Sequence, residues 1–318
     1  MIMTRFFKLT LCLVLISGYC SAQQYPVFTQ YFFNELVINP AYAGAHVKFS
    51  ATAMYRNQWV NFPGAPRTFS FSSHVALMKN KIGVGLMVNH DEIGSYGNDN
   101  VYASYAYKIH FPKATLAMGL QAGFNFIGAD YSKLNLQDPG DASFVPINDF
   151  KPNFGAGLYY NKKNWFVGFS VPFILNNRLD EQPFESAIAE VIERRYYMLR
   201  TGVILPLDRA GNVKLNPSIL LRSQEGQPLS LDINNAFIFY DLLSVGLAWR
   251  SGDVIGDSFI TFLDLKISEK IHFAYSYDWT QSDISRFSNG SHEFMLNFRS
   301  IFRGVHKNPE CPSYYNYR

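Results

Sequence analysis

Beyond Ile16 the chain contains no run of apolar residues approaching the ~18 that a transmembrane helix requires, so a helical membrane protein is excluded. Cysteine is nearly absent. Of Cys12, Cys20 and Cys311 only the last lies outside the N-terminal leader, which leaves it a free or an intermolecular thiol with no internal partner. The net charge of +3 comes with no basic cluster, which speaks against nucleic acid. The seven histidines are scattered singly. Only His90, beside Asp91 and Glu92, has neighbours of metal-ligand type, and a calcium loop wants more oxygens at fixed spacing. A hydrogen-bonded turn is expected there, and no metal or cofactor is expected in the chain. The glycines open no phosphate loop, because no helix N-terminus follows them.

Aromatic residues, by contrast, are abundant at 16%, with 28 Phe and 20 Tyr, and they sit in alternating stretches. Leu116, Met118, Leu120, Ala122, Phe124 and Phe126 share one strand face, while Ala117, Gly119, Gln121, Gly123 and Asn125 share the other. The same rhythm sets Val101, Ala103, Tyr105, Tyr107 and Ile109 against Tyr102, Ser104, Ala106, Lys108 and His110. It recurs as Phe273, Tyr275, Tyr277 and Trp279 against Ala274, Ser276, Asp278 and Thr280. A soluble sandwich also alternates, so the period alone does not separate it from a barrel that turns its aromatic face to lipid.

The connections make the separation. Met78 to Lys81, Phe111 to Lys113, Asn161 to Asn164, Leu207 to Asn212, Tyr240 to Asp241 and Ser268 to Lys270 are short. The intervening ones are longer and include His90 to Asp99, Ala129 to Asp149, Phe173 to Glu193 and Gln281 to Gly290. Short turns at one end, long loops at the other and an even strand number define an outer-membrane barrel with periplasmic termini and extracellular long loops. The fold class is therefore all-β, an antiparallel transmembrane β-barrel of about 14 strands. The strands are expected at 46–59, 66–77, 82–89, 100–110, 114–128, 150–160, 165–172, 194–206, 213–222, 228–239, 242–250, 258–267, 271–280 and 291–301.

The N-terminus reads as an address. Arg5 and Lys8 precede an apolar core from Leu9 to Ile16, and Cys20-Ser21-Ala22 ends in a small residue, so cleavage before Gln23 is expected. The bulky Tyr19 argues against lipidation of Cys20. The chain thus divides into a signal peptide (1–22), an N-terminal plug or hatch segment (23–45), the barrel (46–302) and a periplasmic tail (303–318). A short helix is expected around Tyr31 to Val37, and Asn39-Pro40 and Ala43-Gly44 break regular structure after it. The plug is expected because a barrel of this size has a lumen wider than its own side chains fill.

Two acidic outer loops are the candidates for partner contact, through Asp138, Asp141 and Phe144 in the first and Phe184, Ile188 and Glu190 in the second. Solvated loops that deter aggregation are the competing reading. Ser291, His292 and Asp278 supply the residue types of a hydrolytic triad, but Ser291 and His292 are adjacent and point to opposite strand faces. Gly256-Asp257-Ser258 lies in a late loop and not in a strand-to-helix elbow. No catalytic residue is expected.

Several blocks resemble a known family. Phe28-Thr29-Gln30-Tyr31 after Tyr25-Pro26-Val27, then Asn34, then Asn39-Pro40-Ala41-Tyr42-Ala43-Gly44, then Arg56-Asn57-Gln58-Trp59, are similar to the PorP/SprF family of type IX secretion membrane proteins. Gly64 with Pro66, Ser73-His74, Gly83 and Gly85, Tyr105-Ala106-Tyr107, Pro152-Asn153 with Gly155 and Gly157, Tyr275-Ser276-Tyr277-Asp278 and Ser291-His292-Glu293 continue the match. Ala76 departs from it, standing where the family has proline, and the tail from Arg303 does not align. The resemblance implies a non-enzymatic outer-membrane barrel of fatty-acid-transporter-like architecture that supports export of a cargo protein, of the gliding-adhesin type. It also implies non-covalent surface anchoring of that cargo through its C-terminal sorting domain. The implied partners are that cargo, other type IX components and outer-membrane lipid. The unaligned tail, with Tyr314, Tyr315 and Tyr317 after Pro309 and Pro312, is expected from its own residues either to dock on such components or to stay disordered. Arg56, Gln58 and Trp59 are expected to fix the N-terminal segment to the wall. The alternatives are a channel for an apolar small molecule and, third, a lipid-modifying enzyme.

Overall fold

A computed structural model describes residues 28–46, 49–130, 147–177, 195–225, 227–251, 258–281 and 283–300. Its strands are β1 (Phe49–Asn57), β2 (Arg67–Leu77), β3 (Ile82–Ile93), β4 (Tyr96–Phe111), β5 (Ala114–Ala129), β6 (Ile147–Lys162), β7 (Trp165–Val171) and β8 (Tyr196–Val203). They continue as β9 (Leu205–Pro206), β10 (Val213–Gln224), β11 (Ser230–Phe239), β12 (Leu243–Ser251), β13 (Ser258–Lys266), β14 (Ile271–Thr280) and β15 (Ser291–Ser300). β8 and β9 flank Ile204 and pair the same neighbour, β10, so they form one interrupted strand. The described wall therefore has fourteen strands. Neighbouring strands pair antiparallel, and β15 pairs back onto β1 from Phe49↔Ser300 to Asn57↔His292, which closes the ring. Closure removes sheet edges, the requirement that hydrocarbon places on any spanning sheet.

The side chains are sorted in the reverse sense to a soluble protein. Phe124, Phe126, Phe150, Phe154 and Leu120 stand exposed on the outward face, while Lys108, Arg200, Arg222, Arg250, Asp232 and Glu293 are buried inside. The alternation read from the sequence thus aims its greasy residues at lipid and its polar ones at the lumen. One end of the barrel is trimmed by tight turns. Tyr240 and Asp241 both take φ 53, the left-handed pair that a two-residue hairpin turn needs, and Met78, Lys79 and Asn80 are left-handed as well.

Three expectations are corrected. His90 to Asp99 is not a loop, because β3 and β4 stay paired up to Ile93↔Tyr96 and reverse through Gly94, at φ 59. The stretch after β7 does not begin as an outer loop. Pro172 and Phe173 turn inward, where Phe173 packs on Tyr102 with ring centroids 5.3 Å apart. The Asn153 carboxamide fixes that turn, accepting from the backbone N–H of Ile174 and Leu175 and donating to Leu175 O. Third, Tyr31 to Val37 forms no continuous helix. Three 3-10 turns, Thr29–Phe32, Glu35–Val37 and Pro40–Tyr42, are separated at Asn34 and Asn39, whose side chains bond to the wall or to their own backbone.

Residues Phe28–His46 are buried among inward-facing strand side chains. Phe32 and Phe33 pack on Phe262, with ring centroids 4.5 and 6.0 Å away, and Met54, Met87, Met198 and Met295 fill the space around them. The core thus lies inside the barrel. Close approach of the two backbones depends on glycine. A Cβ on Gly119 would stand 2.1 Å from Ala41 N, and one on Gly83 would stand 1.9 Å from Ala43 O.

Gly119→Ala is therefore expected to destabilise the barrel by about 1–3 kcal/mol through overpacking against Ala41. Gly97→Ala, whose Cβ would meet nothing nearer than Asp91 O at 4.0 Å, is expected to have little effect. The temperature at which the compact folded band disappears on an unboiled gel measures both.

Candidate functional site: the lumen anchors and the rim cavity

The first anchor is built from three adjacent strands. Arg56 on β1, Asp278 on β14 and Glu293 on β15 all have inward parity, and Arg56 lies opposite Glu293 in register. The Arg56 guanidinium donates to Asp278 at 2.6 Å, to Glu293 at 2.9 Å and to the Thr29 hydroxyl at 2.9 Å. One buried cation therefore faces two carboxylates. The deficit is met by the N-terminal segment: the Thr29 and Gln30 backbone N–H groups donate to the two Glu293 oxygens at 2.9 and 2.8 Å, and the Thr29 hydroxyl lies 3.1 Å from Asp278. The Gln30 carboxamide adds bonds to Ser276 Oγ and Glu293 O. Charge-assisted bonds of this kind are about twice as strong as neutral ones and fix the register of the segment on the wall.

The second anchor holds Tyr31 and Glu35. Glu35 is ion-paired with Arg200 of β8 and accepts from the Tyr159 hydroxyl at 3.4 Å. Burial holds the Glu35 carboxyl above its ordinary value, with the Arg200 guanidinium opposing that shift. Arg200 also lies over the Tyr31 ring at 5.4 Å and the Phe166 ring at 4.8 Å. The Tyr31 hydroxyl accepts from Asn234 at 2.5 Å, and burial pushes its phenol up, so it stays protonated.

The third anchor is the Asn39-Pro40-Ala41-Tyr42-Ala43-Gly44 block. Asn39 Oδ1 caps the last 3-10 turn by accepting from Ala41 N at 2.9 Å, Pro40 sets its first φ, and Asn39 Nδ2 donates to Leu158 O at 3.1 Å. Ser170 donates to Ile38 O at 2.6 Å. Tyr42 packs edge-on against Tyr159 and His74, at 5.5 and 5.9 Å. Gly44 takes φ 62, and its carbonyl accepts from Lys108 Nζ.

Of the residues named from the sequence, Phe28, Thr29, Gln30, Tyr31, Asn39, Pro40, Ala41, Tyr42, Gly44 and Arg56 come together in these anchors. Among the described residues, Gln58 and Trp59 make no hydrogen bond to the segment. Gln58 N bonds Pro66 O and Trp59 N bonds Ser291 Oγ, so they shape the rim loop. Sequence reading missed Arg200, Lys108 and Ser170 as wall partners; the available signal was a polar residue of inward parity in mid-strand. The triad types are dispersed. Asp278 is held by Arg56 in the lumen, while His292 bonds the Tyr275 hydroxyl on the outward face at 2.7 Å. His90 pairs with Asp99 at 2.6 Å and Asp91 accepts from Thr68, and no cluster of metal-ligand type occurs among the described residues. Asp138, Asp141, Phe144, Phe184, Ile188 and Glu190 lie outside the described residues, as do Gly256, Asp257, Cys311 and the tail.

A cavity of about 500 Å³ opens at the long-loop rim, between the β1–β2 loop and the β3–β4 turn. Trp59 and Phe62 line it together with Asn57, Asn61, Arg67 and Glu92. Backbone bonds fix its shape: Val60 N to Gly290 O and Asn289 N to Val60 O at 2.9 Å, and Gly94 N to Gly64 O at 3.0 Å.

Residues 20–298 match the family described as type IX secretion system membrane protein PorP/SprF. No curated protein matches the chain in sequence. Among solved structures, the chain is similar to a Pseudomonas aeruginosa FadL homologue, with 12% identity, 88% of this chain and 95% of that one covered, and a TM-score of 0.49. It is also similar to the Acinetobacter baumannii outer membrane protein Omp33, with 10% identity, 81% and 100% covered, and a TM-score of 0.46.

Arg56→Ala leaves two buried carboxylates without a counter-charge and is expected to destabilise the barrel by about 3–5 kcal/mol. Adding Glu293→Gln should recover part of the loss, whereas Thr29→Ala alone, which removes a hydroxyl bonded to charged partners, should lose about 1.5–3 kcal/mol. Urea midpoints of the refolded barrel in lipid vesicles rank the variants.

Proposed function

The chain belongs to the PorP/SprF family of type IX secretion system membrane proteins, and from that membership we propose that it anchors an exported cargo non-covalently at the cell surface. The cargo is of the gliding-adhesin type and is held through its C-terminal sorting domain. The protein is an outer-membrane β-barrel of that secretion system. In this reading the N-terminal segment is a plug, the termini are periplasmic and the long loops face outward. The two acidic loops, with Asp138, Asp141, Phe144, Phe184, Ile188 and Glu190, meet the cargo, and other secretion components meet the periplasmic end.

The observation that carries the reading is the filling of the lumen. Phe28–His46 and Phe173 occupy the interior that a channel for an apolar molecule would keep open, and they are tied to the wall by buried ion pairs and backbone bonds. With this segment read as a plug, the barrel acts by what its surface recognises. Recognition at a protein interface rests on a few desolvated aromatic and arginine anchors within a polar rim, and long loops on a rigid wall can present them.

Gentle detergent extraction of the tagged barrel followed by mass spectrometry tests this. A large exported protein recovered through its C-terminal domain is the expected result. Recovery of the barrel alone, or with an apolar small molecule, overturns the anchoring reading in favour of a channel. Orientation is checked with Cys311→Ser carrying either Phe62→Cys or Lys113→Cys, where an impermeant maleimide on whole cells should label the first and spare the second.

A further inference from the structure

The rim cavity faces sideways, and its position indicates what it meets. Asn57, Arg67 and Glu92 share the outward parity of Tyr55, Phe69 and His90 on their strands, the face on which Tyr55 and Phe69 stand exposed to lipid. Tyr55 and Phe69 are two residues, roughly 7 Å, nearer the barrel's middle. Aromatic residues of this kind sit at the membrane interface, so the cavity lies just beyond it, at the level of the lipid headgroups.

Its lining matches one class of headgroup. Trp59 and Phe62 offer flat apolar faces suited to the C–H face of a pyranose, while Asn57, Asn61 and Glu92 offer the planar amide and carboxylate groups that bond vicinal hydroxyls. Arg67 adds a fork for a phosphate. Arg67 and Glu92 face each other in register, yet neither is ion-paired with the other or with any other described residue, so both charges are available. At about 500 Å³ the cavity has room for a disaccharide. Its walls are already braced by the β14–β15 connection and by Gly94, so binding would require little ordering.

We infer that this cavity binds the phosphorylated amino-sugar disaccharide headgroup of an outer-leaflet glycolipid. The inference rests on the outward orientation of the long-loop rim given above. It is independent of whether a cargo is held. The glycolipid would fix the height and rotation of the barrel in the leaflet, with its acyl chains running down past Tyr55 and Phe69.

The test uses the full-length mature barrel in detergent, with no cargo. Native mass spectrometry is run with a deacylated, phosphorylated glucosamine disaccharide and, in parallel, with glycerophosphate, the headgroup fragment of phosphatidylglycerol. One disaccharide per barrel is expected, weakened about tenfold by Arg67→Ala through loss of a charge-assisted phosphate contact. Phe62→Ala should weaken it too, while Lys113→Ala at the opposite end should not. Both altered side chains are exposed, and the unboiled-gel shift verifies folding. No adduct, an adduct indifferent to both rim variants, or equal binding of glycerophosphate overturns the proposal. Because the cargo extraction is a separate measurement, failure here leaves anchoring standing, and failure there leaves this site standing.

Discussion

Hydrocarbon offers no hydrogen bonds, and the structure follows from that constraint. A spanning sheet must close, and β15 does so by pairing onto β1 through the whole length of β1. Closure sends every second side chain outward to lipid, so the polar half of each strand must go inside. The interior therefore collects charges that water would otherwise surround. Arg56, Asp278, Glu293, Arg200, Arg222, Arg250, Asp232 and Lys108 are all buried there.

Buried charges need partners, and this need explains the N-terminal segment. Arg222 and Arg250 share Asp232 within the wall, at 3.2 and 3.1 Å. Arg56 faces two carboxylates, and the balance is made up by backbone N–H groups at the start of the Thr29–Phe32 turn. Arg200 is matched by Glu35 of the same segment. The wall and the segment are thus electrostatically incomplete without one another. Breaking such a pair is far more damaging than never having built it, because the remaining charge is left buried and alone. Glycines at 83 and 119 supply the clearance, and the aromatic cluster on Phe262 supplies the apolar contact.

Much of the fold was legible in the sequence because a strand's period is short and local. The β5 stretch Leu116 to Phe126 shows its two faces without reference to anything distant, and its outward residues are those read as lipid-facing. Hairpin turns are equally local. The errors fell where a local pattern is ambiguous: His90 to Asp99 reads as a polar loop, yet it is a paired strand end carried past the aromatic zone. Phe173 reads as the start of a surface loop, yet Asn153, twenty positions earlier in sequence, captures the following backbone and turns it inside.

The sequence by itself determined the wall: the strand count, the lipid-facing set, the short-turn end and the family blocks at Thr29-Gln30, Asn39-Pro40 and Arg56. It did so because period, turn chemistry and composition act over a few residues. Only the tertiary structure decided what those blocks do. Thr29 meets Glu293 across 264 positions and Ser170 meets Ile38 across 132, contacts that exist because closure brings remote strands to one lumen. The rim cavity likewise belongs to no single segment: Trp59, Arg67 and Glu92 come together through the pairing of three successive strands, and the brace at Gly290 reaches them only when the ring is shut.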